Sequence, residues 1–488
     1  MKTKLFILLL LIPFPAGLLS QTFEEHYRQR QKEFDKYLNL TEAEYKEFIK
    51  EQDKEFFEQL KKNWDTFQMM LGKMPVSGPK PDKIPVFVDS LKKEFKIIEF
   101  TGPPEDTTSY KPFMDEIKPT GSFSFYKKIV TKAPFYGEQL ELEREDIEYI
   151  NSPEIYDNNS ISGCWDMLNK IEFGNCIPQL MQHKQLLNLN DWGYYLLVRE
   201  FARQISKDKD DEFYKLLIWY IMLKSQYQVK IGYVNNGLLL LVPFNTDVYG
   251  IPYYVIEQKN YYVFEAENPG KIKSYGRFYP LAEKIIDPAI RDSPDFKGFS
   301  EKSINYTNLG QSFPLSIKIN NDLAGFYNSY PLMELDNYFN SVMSKYTKES
   351  LFENFTKIIR DKTEKEAVSI LLHFTQNAFE YKTDMEQFGK EKIFFPDEAF
   401  FYNYSDCEDR AVFFAYTVKE LLKLNVIGLD YSNHVAVAVN FNEDVEGDYI
   451  EWHNKKYVVC DPTYINAPIG RILPKHLDSK AAIIAVEN

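Results

Sequence analysis

YSDCEDRAVFFAYTVKELLKLNVIGLDYSNHVAVAV, residues 404–439, decides the fold. Ser405 with Glu408 makes a capping box, Asp406 with Asp409 an overlapping one, and either starts a helix. Ala411, Phe414, Ala415, Val418, Leu421 and Leu422 recur at the helical period and carry it to about Leu424. Cys407 therefore falls in the first turn. Unpaired backbone N–H groups and the positive dipole end favour a thiolate there, while Glu408 and Asp409 oppose one. A nearby imidazolium has to outweigh them, and His434 supplies the ring at the start of an alternating run. Val435, Val437 and Val439 share one face of that strand; His434, Ala436 and Ala438 share the other. The small alanines leave room to approach the ring.

NKKYVVCDPTY (454–464) reads as a neighbouring strand ending at Asp461 and stopped by Pro462. Tyr457, Val459 and Asp461 share a face, and Cys460 points away into the core, which disfavours a Cys407–Cys460 bond. Alone, each residue is bland: a structural thiol, a satisfied histidine, an Asp-Pro turn. Together, two adjacent strands carrying His434 and Asp461 and facing a helix that begins with Cys407 present a nucleophile, a base and an orienter. His26, His183, His373, His453 and His476 lack such a setting. No Cys/His cluster has zinc spacing and no phosphate-binding glycine motif occurs, so neither a metal nor a cofactor is expected.

Residues from about 350 to 475 resemble the transglutaminase-like superfamily, papain-like in fold, in the manner of a bacterial secreted member. The DCED block with Cys407, HVAVAV with His434 and YVVCDPTY with Asp461 carry the resemblance. ILLHFTQNAFEY (370–381) and DMEQFGKEKIFFPDE (384–398) match the segment that precedes the nucleophile. About a quarter of the chain is covered. The motifs are specific for fold and triad but not for reaction, since members include cross-linkers, amidases, peptidases and inactive relatives. The resemblance implies a catalytic Cys407, His434 and Asp461. The family's usual oxyanion donors do not carry over; the backbone N–H of Cys407 is expected as one donor, and Gln376 or Gln387 is a candidate for the second.

A shift of 196 residues lays 211–265 on 407–461 without a gap. IGYVNNGLLLLV (231–242) then overlies IGLDYSNHVAVA, and NYYVFE (260–265) overlies KYVVCD. Cys407, His434 and Asp461 fall on Asp211, Leu238 and Glu265, so the expectation is a degenerate second copy without nucleophile or base. The fold class expected is α+β. In order, the chain divides into a signal peptide (1–20), an amphipathic helical region (21–73), a Pro-rich linker with a short strand (74–118) and the degenerate transglutaminase-like domain (119–275). A connector with short strands (276–345) and the transglutaminase-like catalytic domain (346–488) follow. In the helical region, Phe23 to Phe67 supply the apolar residues, with a break near Asn39–Thr41 and a Thr41–Glu44 capping box.

At the amino terminus, Lys2 and Lys4 precede the apolar run Leu5–Phe14 and small residues, a secretory signal too short to span a membrane. The chain is 488 residues, 44% hydrophobic and 16% aromatic, which excludes global disorder. A net charge of −14 repels phosphate backbones and argues against nucleic acid. No integral membrane span is expected. Four cysteines are too few for a disulfide scaffold, and pairing of Cys164 with Cys176 stays open. The expected function is a secreted or periplasmic peptidase or amidase acting on a protein or peptide through an acyl-enzyme. Hydrolysis is favoured over cross-linking because water is in excess. The alternative is a binding or scaffold protein with an idle triad, engaging a protein partner through the N-terminal helices.

Overall fold

Alternating and apolar runs in the last quarter of the chain build five strands of a six-stranded sheet. A computed structural model describes it within residues 42–75, 80, 83–87, 97–98, 127–148, 150–207, 209–235, 237–266, 269–308 and 310–487. The signal peptide and residues 21–41 with the Thr41 cap lie outside the described residues. The strand order is Ala482–Ala485, Asn425–Tyr431, His434–Asn440, Lys455–Cys460, Tyr449–Trp452, Ile97–Ile98, and only the last pair is parallel. The alternation survives in the packing. Val435, Val437, Val439, Val458 and Cys460 enter the main apolar core together with Ala411, Phe414 and Ala415 of helix Cys407–Thr417. Ala436, Ala438, Tyr457 and Val459 form a separate cluster on the other face.

A seven-stranded sheet occupies the first half, in the order Asp65–Phe67, Ile272–Ser274, Lys230–Val234, Gly237–Pro243, Lys259–Tyr262, Tyr253–Ile256, Met69–Met70. Shifted by 196, Lys230–Val234, Gly237–Pro243, Tyr253–Ile256 and Lys259–Tyr262 land on the four central strands of the other sheet, in the same spatial order. Helix Asp211–Lys224 lands likewise on Cys407–Thr417 and the π-turn Val418–Leu422. Between them, the connector holds a long hairpin, Phe299–Asn308 with Gln311–Asn320. Tyr279, Phe296, Phe326 and Phe339 of the connector join both halves into one continuous apolar cluster.

The amphipathic region departs from its reading. Helix Glu42–Leu60 ends well before residue 73, and Asp65–Phe67 and Met69–Met70 pair as edge strands with Ile272–Ser274 and Tyr253–Tyr254. Sheet pairing overrides the missing Pro and Gly, because an edge strand draws its hydrogen bonds from its neighbour. The apolar side of the helix is spent on the core. Phe56 lies 4.9 Å from Trp165 and 5.2 Å from Tyr279, and Asp53 accepts from Lys224 and Tyr279. Leu140 and Leu142 do lie in a strand, Glu138–Glu145, whose partner is Lys128–Phe135. Among the described residues, no helix is long and apolar enough to cross a membrane.

Candidate active site

Helix Cys407–Thr417 starts from Asp406, whose N–H donates to Asp409 Oδ2 at 3.1 Å. The Asp406–Asp409 box is thus the one that forms, and Ser405 instead accepts from Arg410 Nε at 3.1 Å. Arg410, fully buried, gives its remaining donors to the carbonyls of Gln376 and Phe379.

His434 and Asp461 come together. His434 Nε2 lies 2.7 Å from Asp461 Oδ2, with both residues 2% exposed. Asp461 Oδ1 accepts from the N–H groups of Thr463 and Tyr464 at 2.9 and 3.0 Å, so the Asp-Pro turn holds the carboxylate that holds the ring. Gln376 Nε2 in turn reaches the carbonyls of Asp461, Tyr464 and Ala467 at 2.9–3.1 Å. Its amide donors clip this loop and are not free for an oxyanion. Replacing Gln376 by Leu is expected to cost about 2 kcal/mol, because three buried carbonyls lose their donor. A shifted urea midpoint with an unchanged slope would register it.

Cys407 stands apart from the ring. Its Sγ donates to Glu408 Oε2 at 2.9 Å, and among the described residues no hydrogen bond joins it to His434, whose Nδ1 is buried without a partner. Packing explains this. The helix takes the bulkier valine face, whereas His434 pairs across the strands with Tyr431 of the cluster on the other face and bonds Asp461. The helix start nevertheless lies at the His434 end of these strands: Asp430, opposite Val435, is pushed up to about 6 by burial and the Glu408 charge. Burial, then Glu408 and Asp406, hold the Cys407 thiol well above its ordinary value. The dipole-stabilised thiolate is therefore absent from this state. All four cysteines are free thiols, so neither Cys407–Cys460 nor Cys164–Cys176 forms a bridge.

Two groups escaped the sequence reading. The ring of His476 stacks on His434 at 5.5 Å and on Tyr431 at 4.4 Å. Burial and the neighbouring His434 push it down to about 4, so it is neutral at pH 7. The other is Lys80, from the Pro-rich stretch. Its ammonium sits 3.0 Å from Asp384, 2.9 Å from Glu391 and 2.7 Å from Asp406, and also contacts Glu408. These carboxylates and Asp409 cluster tightly enough to hold a cation, and Lys80 supplies that charge. Even so, burial keeps Asp384 near 6 and holds Asp406 and Asp409 well above their ordinary values. Sequence periodicity carries no sign of Lys80, because its partners come from segments some 300 residues away. No family model matches the chain, and no curated protein matches it either.

Proposed function

We propose that the chain is an exported cysteine enzyme of transglutaminase-like type, papain-like in fold, that cleaves or transfers at an amide of a protein or peptide. The buried His434–Asp461 pair carries this reading. The bond through Nε2 fixes the ring and leaves Nδ1 buried and unpaired, a costly arrangement that has a use if a proton must arrive there. The reaction requires the first turn of the helix to shift so that Cys407 leaves Glu408 and comes round the His434 end of the strands to Nδ1; the thiol passes its proton there and the sulfur attacks the amide carbon. The imidazolium then protonates the departing amine as the C–N bond breaks, and Asp461 steadies the charged ring. The backbone N–H of Cys407 receives the oxyanion. Water attacks the thioester, releases the acid and returns the thiol; an amine in its place gives a cross-link. The shared strand order of the two sheets supports reading the first half as a degenerate copy, with Asp211, Leu238 and Glu265 at the three positions. The basic and apolar amino terminus supports export.

The test is covalent capture. Peptidyl electrophiles are incubated with the protein and Cys407 is examined by mass spectrometry. An adduct on Cys407 that disappears in His434→Ala supports the enzyme; no adduct with any peptide overturns it. The raised, Glu408-bonded thiol favours a second reading, an idle site on a binding protein, in which Cys407 reacts no faster with His434 than without it.

A further inference from the structure

We infer that Lys80 and the stretch Lys83–Phe87 form a built-in plug that keeps the candidate active site closed. The inference concerns regulation of the site proposed above and rests on that reading. Two anchors hold the plug, one on each half of the site. On the sulfur side, the Lys80 ammonium lies among Asp384, Glu391, Asp406 and Glu408, with its side chain 7% exposed. Glu408 is also the acceptor for the Cys407 thiol, so the plug and the nucleophile share one carboxylate. On the imidazole side, Phe87 N donates to Ile465 O at 2.7 Å and Ile465 N donates to Pro85 O at 2.8 Å. The Phe87 ring packs edge-on against Tyr464 at 5.7 Å. Tyr464 belongs to the turn whose N–H groups bond Asp461.

Cys407, His434 and Asp461 are each no more than 2% exposed, so a substrate needs something to move. The helix and the sheet bury apolar faces, and displacing either opens the core. The stretch Lys83–Phe87 is built otherwise. Lys83 and Val86 are exposed, and Ile84, Pro85 and Phe87 are half-buried. A pocket of about 340 Å³ is lined by Pro85 and by Leu473, Pro474 and Lys475, which directly precede His476. Withdrawing the plug admits water to the thiol. Burial is the largest cause of its raised value and outranks the opposing ammonium, so opening moves the thiol toward reactivity.

The test locks the plug. Val86 and Ile465 are bridge partners, and the pair Val86→Cys with Ile465→Cys allows a reversible cross-link. Iodoacetamide labelling of Cys407, followed by peptide mass spectrometry, should be at least tenfold slower in the oxidised chain than in the same chain reduced. Equal rates overturn the plug. In Lys80→Met, labelling should be at least tenfold faster than in the wild type while circular dichroism shows a folded chain; an unchanged rate also overturns it. The cross-linked pair reads the same point in a chain that keeps Lys80. Labelling reports access alone, so gated labelling without any acyl adduct would refute the enzyme and leave the plug standing.

Discussion

Replacing Lys80 by Met is expected to lower the unfolding free energy by about 3–5 kcal/mol at pH 7, the range for breaking a buried ion pair from one side. The carboxylates of Asp384, Asp406 and Glu408 stay behind, each almost fully buried, with no ammonium among them. The loss should shrink at pH 5. Asp384, Asp406 and Asp409 already hold their protons more tightly than ordinary carboxyls do. The folded chain therefore binds more protons than the unfolded one between about pH 4 and the folded value, about 6 for Asp384, and stability falls as pH rises through that window. Removing the ammonium pushes these groups higher and widens the window. The contribution of Lys80 itself is constant here. Its value is raised further above the ordinary one, so its stabilisation is complete below about pH 10 and is lost only at still higher pH. Urea unfolding at both pH values decides the matter: equal losses at pH 5 and pH 7 would contradict it.

Asp461→Asn should reduce turnover by roughly 10³–10⁴-fold in whatever amide assay the wild type passes. The reason is the tautomer. Oδ1 of Asp461 accepts two backbone N–H groups, so an asparagine must keep its oxygen there and turn its NH₂ toward His434. Nε2 then becomes the acceptor and the ring proton moves to Nδ1, the nitrogen that receives the thiol proton in the proposed reaction. Shape and burial are unchanged, so the unfolding midpoint should move far less than the rate does. A variant that keeps more than a tenth of the wild-type rate would remove Asp461 from the mechanism.

Legibility followed how local each feature is. The helix start at Asp406 and the strand that opens at His434 were readable because a capping pair and strict alternation encode them within a few residues. The same alternation put Ala436, Ala438, Tyr457 and Val459 on one face and Cys460 on the other, which the two apolar clusters reproduce. Which face the helix would cover was not readable, since both faces are apolar and only their bulk differs. The two- and three-residue strands after Leu60 have no pattern of their own; their partners lie about 200 residues away. In the sequence Gln376 reads as a candidate oxyanion donor; in the fold it is a clip, because three carbonyls converge on it only in the folded chain.

The apolar cluster runs from Phe56 through the connector to Ile484 and joins both sheets in one continuous core. Denaturation is expected to take the half that holds Cys407 and the other half together. Damage to the first half is therefore expected to be felt at Cys407 as a change in the fraction of molecules folded at all.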